Sequence, residues 1–255
     1  MKQSQSEVRT MSAEMLALER AGADAVSETT PTWITPALAA FCQTLGGDVP
    51  VFVPVVDDPN GLFGWCSDGV SEKIKADGGG IVFGWTIWEW PNVMWTAEFH
   101  AVWRSPSGEL IDITPKPKRE SDILFVADQS YPETFNFDLR PGNRRQRAYQ
   151  PADVAKLVAE RISALRPSQL VYEQSRAEKV GLSLREWLEA KIPKDALVAI
   201  IDEVIRACDD HETHFDKLGV SGNIPVDAKL KQLTRRRMNA LTALRRAVQG
   251  RGIKA

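Results

Sequence analysis

"GWTIWEWPNVMWTAEFHAVWRSPSGELIDITP", residues 84–115, sets four of the chain's eight tryptophans ahead of His100 and places Asp112 twelve positions beyond it. A β-strand alternates its side chains between two faces, so Thr96, Glu98, His100 and Val102 point together, opposite Trp95, Ala97, Phe99, Ala101 and Trp103. The aromatic face reads as core, which leaves His100 on the polar one. "SPSG" (105–108), with proline second and glycine fourth, has the chemistry of a type I turn followed by a left-handed glycine. That turn pairs Ser105 with Glu109, and the register then carries Asp112 onto the face of His100, one diagonal step across the ladder. From there an aspartate can accept an imidazole N–H and fix the ring's tautomer.

Working outward, the alternation predicts strands over residues 80–90, 93–104 and 109–114, with a fourth candidate at 122–128. Two short helices are predicted before them. "PALAAFCQTLGG" begins at Pro36, puts Leu38, Phe41, Cys42 and Leu45 on one face and stops at Gly46–Gly47. "CSDGVSEKIKADGGG" sets Val70 and Ile74 one turn apart, with a stop at Gly78. A helix followed by an antiparallel sheet is the α+β pattern. The first 30 residues read as a polar, weakly amphipathic helix (Met11, Met15, Leu18) that serves as an arm. After the arginine-rich stretch "LRPGNRRQRAYQP", read as a linker, the pattern turns helical: a capping box at Ser183 and Glu186, an amphipathic "KDALVAIIDEVIRACDD", and a final stripe of Leu230, Leu233, Leu241, Leu244 and Val248. The expected division is an arm (1–35), an α+β catalytic-like domain (36–139) and a basic, all-helical domain (140–255).

Cys66 opens the second short helix. First-turn amides and the helix dipole favour a thiolate, as does a neighbouring imidazolium, so a cysteine in that position can act as a nucleophile. An isolated cysteine is more often a buried core residue, the reading given to Cys42. What raises Cys66 is its combination with His100 and Asp112. Asn60 is either a side-chain oxyanion donor or part of an ordinary turn in "DDPNGLFG", and Glu98 either tunes His100 or is a solvated strand residue. Trp65, Trp88 and Trp90 are candidates for the wall of a substrate groove, against the commoner fate of tryptophan as core. "CDDHETH" (208–214) gathers Asp210, His211 and His214 at helical spacing that can chelate a metal, but a polar helix end explains it more simply. No metal or other cofactor is expected.

The order Cys66, His100, Asp112, with the cysteine opening a helix and "HAVW…GELIDITP" forming the hairpin, resembles the papain-like and transglutaminase-like thiol enzymes. The resemblance covers residues 50–128. It implies a papain/transglutaminase-like core, with Cys66 as nucleophile, His100 as base and Asp112 as the orienting carboxylate. Asn60 stands six residues before the cysteine, where papain-like peptidases often carry a glutamine. The segment between Cys66 and His100 is short, and the long substrate-binding elaborations of transglutaminases are missing.

Composition sets the remaining bounds. A chain of 255 residues that is 43% hydrophobic is long enough to bury a substantial core. No run reaches the roughly 18 apolar residues of a membrane span, and a soluble, cytoplasmic protein without membrane partners is expected. Cys42, Cys66 and Cys208 form no CxxC pair, which argues against a disulfide framework or a thiolate zinc site. Residues 1–139 hold 9 Lys/Arg against 20 Asp/Glu (net −11), and residues 140–255 hold 23 against 14 (net +9). The basic part can meet the acidic one or seek an anionic partner. Its last stretch, from Ala228 on, carries nine Lys/Arg and no acid, which supplies charge for nucleic acid but none of the aromatic interleaving that confers specificity. The expectation is a thiol hydrolase or acyl transferase acting on a protein or peptide substrate. Its alternative is a non-enzymatic binding module that uses the tryptophans and the basic helix to hold a protein or nucleic acid.

Overall fold

The structure is a computed structural model that describes residues 4–22, 28–218 and 226–251. It is a mixed α/β fold, an antiparallel sheet followed by a helical C-terminal region. Helix α1 (Gln5–Gly22) is followed by α2 (Pro36–Gln43), β1 (Val51–Pro54), α3 (Cys66–Asp77), β2 (Gly80–Trp90), β3 (Met94–Arg104), β4 (Leu110–Ile111), β5 (Asp122–Ala127) and β6 (Arg144–Arg147). Helices α4 (Val154–Ala164), α5 (Pro167–Lys179), α6 (Leu184–Glu189), α7 (Ala196–Leu218) and α8 (Ala228–Gly250) complete it. Among the described residues no helix is long and apolar enough to cross a membrane.

The local signals act as their chemistry requires. Thr35 caps α2 by accepting from the Leu38 amide at 3.1 Å, and Leu38, Phe41, Cys42 and Leu45 are buried together. Gly78, in the left-handed region at φ 75°, ends α3 by returning its N–H to Ile74 O. Gly108 takes the positive φ that the hairpin demands, Ser105 N donates to Glu109 O at 2.9 Å, and Trp103 faces Ile111. Ser183 and Glu186 form the reciprocal cap of α6.

The sheet order is β1-β5-β2-β3-β4, with β6 also on β3. β2 and β3 pair over their full length, Gly80 opposite Arg104 through Trp90 opposite Met94. The odd-numbered face of β3 (Trp95, Ala97, Phe99, Ala101, Trp103) packs with Leu38, Phe41, Cys42 and Val70 of α2 and α3. The other face gathers Val53, Val102, Ile123 and Phe125. β1 and β4 lie at opposite ends of the strand order, yet a parallel bridge joins Val55 to Asp112: Asp112 N donates to Pro54 O and Val56 N to Asp112 O, each at 2.9 Å. The sheet therefore curls toward closure, with Val102 and Phe125 on its inner side.

Residues 139–151, read above as a linker, instead contribute β6, which pairs with β3 from Met94 to Ala97. The reason is electrostatic. Arg145 meets Asp209 and Glu212, and Arg147 meets Asp202, all on α7, so the strand joins the sheet to the helices. α8 lies on α7, burying Leu230, Leu233, Leu244 and Val248, while Arg236 pairs with Glu203 and Asp210. Arg145, Arg147 and Arg236 of the basic part are thus matched by acids of α7.

The N-terminal residues are held against the rest of the chain. Arg9 of α1 donates to Pro59 O at 2.7 Å, Thr29 bridges to Glu89, and Thr96 Oγ1 donates to the Glu28 carboxylate at 2.8 Å.

Candidate active site

Three elements converge on His100. Along the edge of β3 that faces away from β2, β6 pairs at Met94–Ala97 and β4 at Trp103–Arg104. Residues 98–102 between them have no strand partner on that edge among the described residues, and His100 sits at the centre of the gap. Its Nε2 lies 3.1 Å from Asp112 Oδ2, the relation the hairpin register predicts. Both side chains are buried, His100 at 6% exposure and Asp112 at 0%. With Nε2 committed to the carboxylate, Nδ1 is the nitrogen left for chemistry.

Asp112 is held by more than the histidine. Its Oδ1 accepts from Thr114 N at 2.8 Å, and its Oδ2 lies 2.6 Å from the ammonium of Lys116, itself only 5% exposed. Sequence reasoning missed Lys116. "TPKPK" looks like a solvated loop, and nothing in its spacing signals that one lysine turns inward.

Cys66 opens α3 as expected. It packs in the cluster beneath the odd-numbered face, with Val70, Ala101 and Ile113, whereas His100 projects from the opposite face. The two side chains thus leave different faces of β3, yet the charge of the sulfur acts on the ring. Among the described residues no hydrogen bond joins them, and their coupling is electrostatic. Such contacts commonly tighten only when substrate is bound. Burial alone would drive the imidazole toward its neutral form, but the Asp112 carboxylate and then a Cys66 thiolate outweigh it, against the opposing pull of Lys116. The balance raises His100 from its ordinary value to about 10. Burial likewise pushes the Asp112 carboxyl up, but His100 and Lys116 overcome it and hold Asp112 well below the usual carboxylate range.

Burial pushes Cys42 up to about 11 and raises Cys208 as well, so both are kept protonated. Trp65, the residue before α3, offers no side-chain cap. The N-cap residue thus leaves the amide of Cys66 without a side-chain acceptor from Trp65, while Asp68 supplies a carboxylate within the first turn.

The auxiliary candidates fall in different places. Asn60 belongs to a turn: its N–H donates to Asp58 Oδ1 at 2.8 Å and its side-chain amide also bonds Asp58. Glu98 is exposed and accepts from Trp88 Nε1 at 2.8 Å, so it is spent on the tryptophan. Trp88 is half-buried beneath Lys116, whose Nζ is 5.7 Å from the ring centroid. Trp65 is half-buried beside Cys66. Trp90 shares the strand parity of Trp88, yet it is packed into the cluster between the sheet and α7 and α8 with Val93, Met94, Leu197 and Ile201. It is core and forms no groove wall, because the strand runs on beneath the helices.

The "CDDHETH" stretch is absorbed into helix packing. His211 bonds Thr234 at 3.1 Å, His214 bonds Asp227 at 3.0 Å, and Asp210 pairs with Arg236. Among the described residues no group of three or more His, Cys, Asp or Glu is placed to hold a metal ion. Comparison of the chain with protein-family models, curated proteins and solved structures finds no match.

Proposed function

We propose that the protein is a thiol hydrolase or acyl transferase of papain/transglutaminase-like topology, acting on an amide, isopeptide or thioester bond through Cys66, His100 and Asp112. The observation that carries this reading is the buried His100–Asp112 pair at 3.1 Å, set beside an uncapped helix N-terminus that begins with a cysteine. In the proposed reaction the thiol proton rests on His100, whose raised proton affinity favours the imidazolium, and the sulfur attacks the carbonyl carbon as a thiolate. The oxyanion is met by first-turn amides of α3, and the imidazolium returns its proton to the leaving group as the carbon–heteroatom bond breaks. Water or an amine then resolves the acyl-enzyme.

The test uses a short peptide thioester as acyl donor and intact-mass analysis. One acyl group is expected on Cys66, with the donor's thiol released, and none in Cys66→Ala. Absence of the adduct, or acyl groups spread evenly over Cys42, Cys66 and Cys208, would remove the proposal.

A second reading, the non-enzymatic binding module, draws on a specific feature. An apolar groove of about 610 Å³ on α7 and α8 is lined by Phe215, Val226, Leu230 and Met238, away from the three candidate residues. Binding without acylation would favour it.

A further inference from the structure

After Asp112 the chain folds back on itself. Thr114 N donates to Asp112 Oδ1 at 2.8 Å, Pro115 fixes its own backbone φ, and Gly61 presses so closely that a Cβ there would lie 2.0 Å from Ile113 O. This packing sends Lys116 inward. Lysine stems ordinarily run along the surface with the ammonium in water. Here the ammonium is withdrawn, 2.6 Å from Asp112 Oδ2 and 5.7 Å from the centroid of Trp88. A buried ammonium keeps its charge only against a strong partner, and the oxygen it takes is the one His100 Nε2 uses at 3.1 Å.

We infer that Lys116 is a positioning residue of the candidate site, an ammonium that holds Asp112 in place and sets how tightly His100 grips its proton. The inference rests on the Cys66–His100–Asp112 reading. In that chemistry the histidine must take a proton and give it back, and a base that keeps it too firmly is a poor acid. A buried carboxylate answering to His100 alone would hold the imidazolium with its full charge. Sharing Oδ2 with an ammonium weakens that hold, in line with the direction in which Lys116 acts on the ring. The charged groups facing the imidazole are Asp112 beyond β4, Cys66 from α3 and Lys116 from the turn that follows Asp112. Glu98, on the same strand, is turned to Trp88.

The experiment is an NMR titration of the three imidazoles of the full chain in a Cys66→Ala background. That change removes the sulfur, whose charge raises the ring, and so brings the His100 midpoint down, with His211 and His214 as internal references. Lys116→Gln keeps a hydrogen-bond donor and drops the charge. It is expected to raise the His100 midpoint by about one pH unit, the size of effect one charge exerts within roughly 4–6 Å, and Lys116→Arg is expected to restore the parent value. An unchanged midpoint in folded Lys116→Gln, or an equal displacement in Lys116→Arg, overturns the inference. With Lys116 intact, its ε-methylene signals are expected to move at the His100 midpoint. Indifference there also overturns the inference, whether or not Lys116→Gln folds. The titration needs no substrate, so its failure leaves acyl transfer by Cys66 standing, and a missing acyl adduct leaves the titration result standing.

Discussion

Replacing Asp112 by leucine is expected to destabilise the fold by about 3–5 kcal/mol, the usual cost of removing one member of a buried ion pair. The carboxylate answers two largely buried cationic groups, His100 at 3.1 Å and Lys116 at 2.6 Å, and the substitution strands both. For a chain of this size the melting temperature should fall by roughly 10 °C. The double variant Asp112→Leu/Lys116→Met, which also removes the orphaned ammonium, should recover part of the loss.

The same cluster gives a pH signature. His100 is raised from an ordinary value near 6.5 to about 10, so its contribution to stability is complete below about pH 6.5 and drains away as pH rises through the folded value. Asp112 is shifted the other way, so its contribution is present above about pH 3.9 and is lost only in strong acid. Denaturation curves at pH 6.5 and 9.5 should therefore show the wild type losing stability and Asp112→Leu losing less. A loss below about 1 kcal/mol in Asp112→Leu at pH 6.5 would mean that the cluster does not hold the fold.

The second large effect concerns chemistry. His100→Ala is expected to slow acylation of Cys66 by the peptide thioester about 10²- to 10⁴-fold, the contribution typical of a positioned acid–base group. Its melting temperature should be checked alongside, because removing the ring also leaves Asp112 with one partner fewer. An acylation rate within about twofold of wild type would show that the thiol acts without the imidazole.

Much of this site is legible in the residues themselves because its geometry is local. The alternation of β3 puts His100 opposite the aromatic face, the Ser105–Gly108 turn fixes the register, and together they carry Asp112 to the ring. Helix α3 ends on a signal in its own segment, the glycine stop at Gly78. What escapes the sequence depends on contacts made across the chain. Lys116 is buried only because Asp112 bridges to Val55 and the Gly61 loop presses on Pro115. The RRQR segment becomes a strand because its arginines find Asp202, Asp209 and Glu212 on a helix far along the sequence. Trp90 has the parity of a groove residue, but the docking of α7 and α8 makes it core. Period-two reasoning assigns a side chain to a face and is silent on what covers that face.

The most direct test is a two-armed alkylating reagent of three carbons, 1,3-dibromoacetone, whose arms can bridge a thiol and an imidazole only when the two lie side by side. Peptide mapping of the treated full chain is expected to find Cys66 joined to His100 through a single acetone bridge, with Cys42 and Cys208 unmodified. Alkylation of Cys66 through one arm only, or a bridge from Cys66 to any residue other than His100, would contradict the account.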